Sequence, residues 1–252
     1  MREFHKNMAE LHRAMESRHR AADAMHSTYA RRLEKWRDQR PQDAPPPFMS
    51  AVAEISGSGS ALITLWDEAE VDALVAASDG TAETAHDLES MFGEGPARDA
   101  AHECGLVSVP DTAFERRWPM YGPMVGDLGV RSIMAAPLRV SRHCFGALTV
   151  FHRGTAGTGA TSAKQPPLND VADALTHTVL LANQLPLFED ADRQSVVNHA
   201  AGLLAERSGC TIDDALALIR ASAFARDERI ATVAALVARG ELNLEYKFGR
   251  PD

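Results

Sequence analysis

The side chains best suited to metal or redox chemistry crowd together twice. His102 and Cys104 stand two apart, and His143 and Cys144 adjoin. A metal would need both sets brought together at ligand spacing. The plainer reading makes Cys104 the close of a helix and Cys144 the start of a strand, each a small apolar packing group. With Cys210, the cysteines lie far apart, form no CxxC and are odd in number. That pattern argues against a disulfide framework. No Ser-His-Asp, Cys-His or paired-carboxylate arrangement has local support. No catalytic residue, metal site or cofactor is therefore expected, and the chain does not read as an enzyme. Trp66 and Trp118 read as core or edge aromatics.

Charge narrows the partners. The chain has 252 residues and a net charge of −9, spread unevenly. Residues 1–40 hold ten Lys and Arg against six Asp and Glu, residues 41–185 eight against eighteen, and residues 186–252 eight against eleven. An acidic chain is no general polyanion binder, so a nucleic-acid contact has to use a local stripe of arginines. No apolar run reaches the ~18 residues of a membrane span. The charged N-terminus has no apolar core of a secretory signal. A cytoplasmic protein without membrane contact is expected.

The elements that must position these groups divide the chain into segments. Residues 1–40 contain no Gly or Pro, and two interleaved series give a coiled-coil seam: Met8, Met15, Ala22, Tyr29, Trp36 and Phe4, Leu11, Arg18, Met25, Arg32. A lone helix would leave that stripe wet. It predicts a homodimer, the alternative being a helix folded back on its own domain. Residues 41–47 hold Pro41, Pro45, Pro46 and Pro47, a stiff linker. Residues 48–185 alternate short strands and helices. A helix is predicted over Phe48–Ile55, paired strands over Ala61–Trp66 and Val71–Ala76, a helix over Thr84–Phe92 and a strand over Leu106–Val109. A helix over Trp118–Leu128 and a hairpin of Ser132–Val140 with Cys144–Phe151 follow. A mobile loop is expected over Gly154–Ala163, then a helix opened by Pro166-Pro167. Residues 186–245 read as three helices, about Glu189–Arg207, a second capped by Thr211, and a third from Asp227 or Glu228. Residues 246–252 are a tail. The expected class is α+β.

Two stretches carry a family resemblance. FGEGPARDAAHECGLVSVPD and RRWPMYGPMVGDLGVRSIMAAPLRVSRHCFGALTVFHR resemble a GAF domain of the actinobacterial kind. The specific parts are Gly93-Glu94-Gly95-Pro96, Arg116-Arg117-Trp118-Pro119, Gly129-Val130-Arg131-Ser132 with Ala136-Pro137-Leu138, and Gly146-Ala147-Leu148. The resemblance implies an antiparallel-sheet regulatory domain with a small-molecule or redox input, the ligand and its site unknown.

HAAGLLAERSGCTIDDALALIRASAFARDERIATVAALV resembles the three-helix ANTAR module of transcription antitermination. The matching residues are Ala200, Gly202, Leu204, Gly209, Cys210, Thr211, Ala215, Leu218, Ile219, Arg220, Ala223, Arg229, Ile230, Val233 and Ala234. The resemblance implies binding of tandem RNA stem-loops in nascent transcripts, with Arg220, Arg229, Arg193, Arg226, His199 and Arg207 as contacts to phosphates and loop bases. Two usual basic positions are changed, to Gln194 and Ala201, and each lost contact flattens the salt dependence by roughly one counterion. The expected whole is an N-terminal coiled-coil helix, a GAF sensor and an ANTAR bundle in a homodimeric antiterminator. The alternative is a dimeric sensor whose output is protein contact.

Overall fold

The computed structural model describes residues 1–39, 46–66, 72–141, 143–153, 165–181, 191–226 and 228–244. Most of the linker, the Gly154–Ala163 loop, Asp227 and the tail lie outside the described residues. No helix among the described residues is long and apolar enough to cross a membrane.

Five antiparallel strands form one sheet: β1 (Ser60–Trp66), β2 (Asp72–Ala77), β3 (Val107–Pro110), β4 (Ser132–Val140) and β5 (His143–His152), in the order β2-β1-β5-β4-β3. Strand side chains alternate between faces, and both faces are covered, so β1 reads as a near-continuous apolar run. One face, with Ala61, Ile63, Leu148 and Val150, packs under α1 (Arg2–Asp38), α2 (Phe48–Ile55) and α7 (Leu168–Leu181). The other, with Leu62, Ala147, Ile133 and Phe151, packs under α3 (Gly80–Phe92), α4 (Pro96–Glu103), α5 (Phe114–Arg117) and α6 (Tyr121–Asp127).

The Gly93–Pro96 run has a mechanical reason at each residue. Gly93 ends α3 in the left-handed region, φ 68°. The Glu94 carboxylate accepts the amides of Met120 (2.6 Å) and Tyr121 (2.9 Å), two groups left open at the start of α6. At Gly95 a Cβ would lie 2.6 Å from Cδ of Glu89, so a side chain there would displace that carboxylate. Pro96 opens α4 with its fixed φ.

Two expectations are corrected. The helix expected over Trp118–Leu128 starts only at Tyr121, as α6, and a separate α5 ends at Arg117, because Pro119 disfavours helical backbone at the preceding residue; Trp118 sits at φ −133°, ψ 87°. The cysteines do pair: Cys104 and Cys144 form a disulfide with Cα atoms 6.2 Å apart. Packing of α4 on β5 brings together residues 40 apart in sequence, which spacing alone does not reveal. Cys210 is the free cysteine.

Helix α1 uses its seam unevenly. Ala21 and Met25 are fully buried in the sheet domain's own core, with Ala22 and Tyr29 against it, while Phe4, Leu11 and Met15 are exposed. Arg32, which interrupts the apolar series, pairs with Glu54 at 2.7 Å. The C-terminal half of α1 thus folds back on its own domain.

The C-terminal bundle has a separate core. Helices α8 (Ala191–Ser208), α9 (Ile212–Arg226) and α10 (Ile230–Ala238) pack through Ala200, Leu204, Ala215, Ile219, Val233 and Val237. Gly209, at φ 63°, ends α8. Thr211 and Asp214 cap α9 reciprocally: the Asp214 amide donates to the Thr211 hydroxyl at 3.1 Å, and the Thr211 amide to the Asp214 carboxylate at 3.3 Å.

Candidate functional site

The bundle does not stand apart. It lies against edge strand β2 and helix α3, and most charged groups worth explaining meet along that seam.

From the sheet domain come three carboxylates. Asp72 begins β2 and is 2% exposed. It accepts a 2.6 Å hydrogen bond from the Ser90 hydroxyl, and His86 Nε2 lies 3.5 Å away. Burial alone would push the Asp72 carboxyl up, but His86, Ser90, Arg98 and Arg220 together hold it below its ordinary value. Glu83 and Asp87 stand four residues apart on α3 and therefore on one face. Burial raises the Asp87 carboxyl, although His86, the Ile230 amide and Arg229 oppose the shift.

From the bundle come the cations. The Arg229 guanidinium pairs with the Glu83 carboxylate. Arg220 Nη2 stands 3.9 Å from Asp72 Oδ2. The start of α10 faces Asp87 across the boundary, and the Ile230 amide there favours its charged form. The Asn198 side-chain amide reaches the Asp72 carbonyl at 3.3 Å, and Phe224 meets Phe92 edge-on with ring centres 6.3 Å apart. A cavity of about 70 Å³ remains between the halves, lined among others by Asp72, His86, Asp87, Val197, Arg220 and Arg229. These are the donors that anion recognition uses, planar guanidinium forks and a helix N-terminus, here occupied by carboxylates.

The residues expected to contact a ligand are thus split. Arg220 and Arg229 share the seam. Arg226 is exposed and pairs with Glu228 at 3.1 Å. His199 and Arg207 are exposed, with Arg207 reaching Asn243 at 3.5 Å. Arg193 falls in the first turn of α8, where the side chains lie outside the described residues. Ala201, one of the two positions expected to lack a cation, is fully buried. Sequence reasoning missed Asp72, Glu83 and Asp87. The available signals were the acid excess of residues 41–185 and the four-residue spacing of Glu83 and Asp87.

A second polar cluster lies inside the sheet domain. Glu89 is 3% exposed and accepts from the Arg98 amide, at 2.9 Å, in the first turn of α4. Burial pushes its carboxyl up to about 7. Its other oxygen and the buried Tyr121 hydroxyl have no hydrogen-bond partner among the described residues. Burial, and then Glu89, hold the Tyr121 phenol well above its ordinary value. Among the described residues, no cluster of His, Cys, Asp and Glu could hold a metal ion.

The GAF domain family model matches residues 46–185, ending before α8. No curated protein matches the chain. Among solved structures, a domain assigned to a two-component sensor histidine kinase of Sinorhizobium meliloti 1021 is 13% identical, with a TM-score of 0.35, covering 54% of this chain and 88% of that one. The photosensory core module of the Stigmatella aurantiaca phytochrome is also 13% identical, with a TM-score of 0.32, covering 90% of this chain and 46% of that one.

Proposed function

The chain belongs to the GAF domain family, and from that premise we propose that it is a signal-responsive RNA-binding antiterminator, the GAF domain receiving the signal and the C-terminal bundle meeting RNA. The observation that carries the reading is the seam: Arg220, Arg229 and the start of α10 converge on three carboxylates, so one face of the bundle is built to hold anions. A stem-loop offers the same chemistry in its phosphates, with loop bases for hydrogen bonding or stacking. The ANTAR-like residues Gly209, Thr211 and Ala215 act in capping and packing, which supports the module's fold; Arg220 and Arg229 are its RNA contacts. The role is binding, with no catalytic step, and its setting is the cytoplasm, where nascent transcripts are.

A homodimer completes the reading. Exposed Phe4, Leu11 and Met15 on the outer half of α1 are the seam left for a second copy. Two linked weak sites on tandem stem-loops gain from effective concentration. The test is fluorescence titration of a labelled RNA carrying two stem-loops in tandem, against a scrambled control, with the dimer checked by sedimentation. Arg220→Glu should weaken binding at least tenfold. Equal affinity for both RNAs at moderate salt sinks the reading.

One observation favours a second reading, a dimeric sensor whose output is protein contact. Arg220 already faces a protein carboxylate, Asp72, on the face where RNA would sit, and Ala201 is buried in the bundle's own core. Recovery of a protein partner with no RNA would support it.

A further inference from the structure

The carboxylates of α3 and β2 sit on the bundle where phosphates would sit, and we propose that this acidic face is a built-in RNA mimic that competes with RNA for the bundle. The inference rests on the RNA-binding reading above and names its regulation. Each anion position has its own donor. Glu83 takes the guanidinium of Arg229, which also lies over the start of α3, its Nη2 3.1 Å from where a Cβ on Gly80 would stand. Asp87, one turn further on, lines the same cavity as Arg229 and Ile230 at the N-terminus of α10, a place that favours any anion. Asp72 faces Arg220 from β2. Carboxylate and phosphate both fit a guanidinium fork, so the two ligands exclude one another.

The surroundings fit a latch rather than a permanent core. Val197 and Ile230 from the bundle and Val75 and Ala77 from β2 line a cavity between the two cores, which stay separate clusters, and Phe92 meets Phe224 edge-on beside it. The Arg229 side chain is 52% exposed, so its ion pair is weak and screened by salt. The bundle keeps a core cluster of its own, separate from that of the sheet domain. RNA binding requires the undocked form, and apparent affinity is reduced by the fraction of molecules undocked. A signal that displaces α3 or β2 from the bundle would open the site without touching it.

The test uses the full-length chain with Glu83→Gln and Asp87→Asn together, and Glu83→Gln alone as a milder variant. Two measurements run in parallel: Kd for a synthetic tandem stem-loop RNA, and hydrogen exchange of the first amides of α10. The double variant should bind the RNA at least tenfold more tightly than wild type. Its first α10 amides should exchange at least tenfold faster when free, and saturating RNA should restore their protection, since phosphate then takes the place of the carboxylate. Faster exchange with unchanged affinity overturns the mimicry while leaving RNA binding intact. No RNA binding by either protein overturns the functional reading, and this inference with it. Unchanged exchange in both variants overturns the latch itself.

Discussion

Replacing Glu89 by Gln should stabilise the protein in a pH-dependent way. The folded carboxyl titrates near 7 because burial opposes its charge, against 4.5 when unfolded. A folded value above the unfolded one means that the native state binds more protons between those limits. The native state is therefore favoured below pH 4.5 and loses this contribution as pH rises through about 7. At about 1.36 kcal/mol per unit, the full cost is about 3 kcal/mol, of which about 2.5 kcal/mol falls between pH 5 and pH 8. Gln is neutral throughout and keeps an oxygen for the Arg98 amide. The assay is urea unfolding of both proteins at pH 5, 6, 7 and 8, taking the difference at each pH so that every other titrating group cancels. The Gln variant should gain on wild type by about 2.5 kcal/mol from the acid to the alkaline end. A difference independent of pH would refute the reasoning, because Glu89 would then carry the same charge folded and unfolded.

Reduction of Cys104–Cys144 opens a loop closed over 40 residues and should cost up to about 4 kcal/mol on the loop-entropy account. Urea unfolding with and without dithiothreitol checks this, and the paired Cys104→Ser, Cys144→Ser variant should ignore the reductant. Gly122→Ala poses helix propensity against space. Alanine gains about 1 kcal/mol in α6, but its Cβ would lie 2.5 Å from the Phe114 carbonyl carbon, which is backbone. A net loss of about 1–3 kcal/mol in thermal unfolding is expected, and a more stable variant would mean that α5 yields freely.

Local signals carried most of the elements. Phe48–Ile55 and Ser132–Val140 are bounded by residues that set their own ends, and Thr211 with Asp214 formed the cap that the spacing predicts. The GAF fold was legible in the Gly93–Pro96 run, where Gly93 and Pro96 set the ends of α3 and α4 and Glu94 reaches across to the start of α6. The late start of α6 was readable from Pro119, which keeps Trp118 out of helical backbone. The disulfide and the seam were not readable. Both join residues whose neighbourhood exists only after the sheet and the bundle have packed. Arg220 and Arg229 were visible as cations, but Asp72, Glu83 and Asp87 were three acids among many until β2 and α3 aligned them.

Strand β2 lies at the margin of the sheet, and α8 packs across it, with Asn198 reaching the Asp72 carbonyl. The bundle is therefore also a bumper. A chain whose bundle swings away bares a sheet margin of unpaired amides and carbonyls, which is a template for strands of other molecules. Under the proposed latch, activation and self-association share one trigger. Crowded, activated protein without RNA would be the state most prone to clump, and a brief open lifetime is the safeguard this architecture calls for.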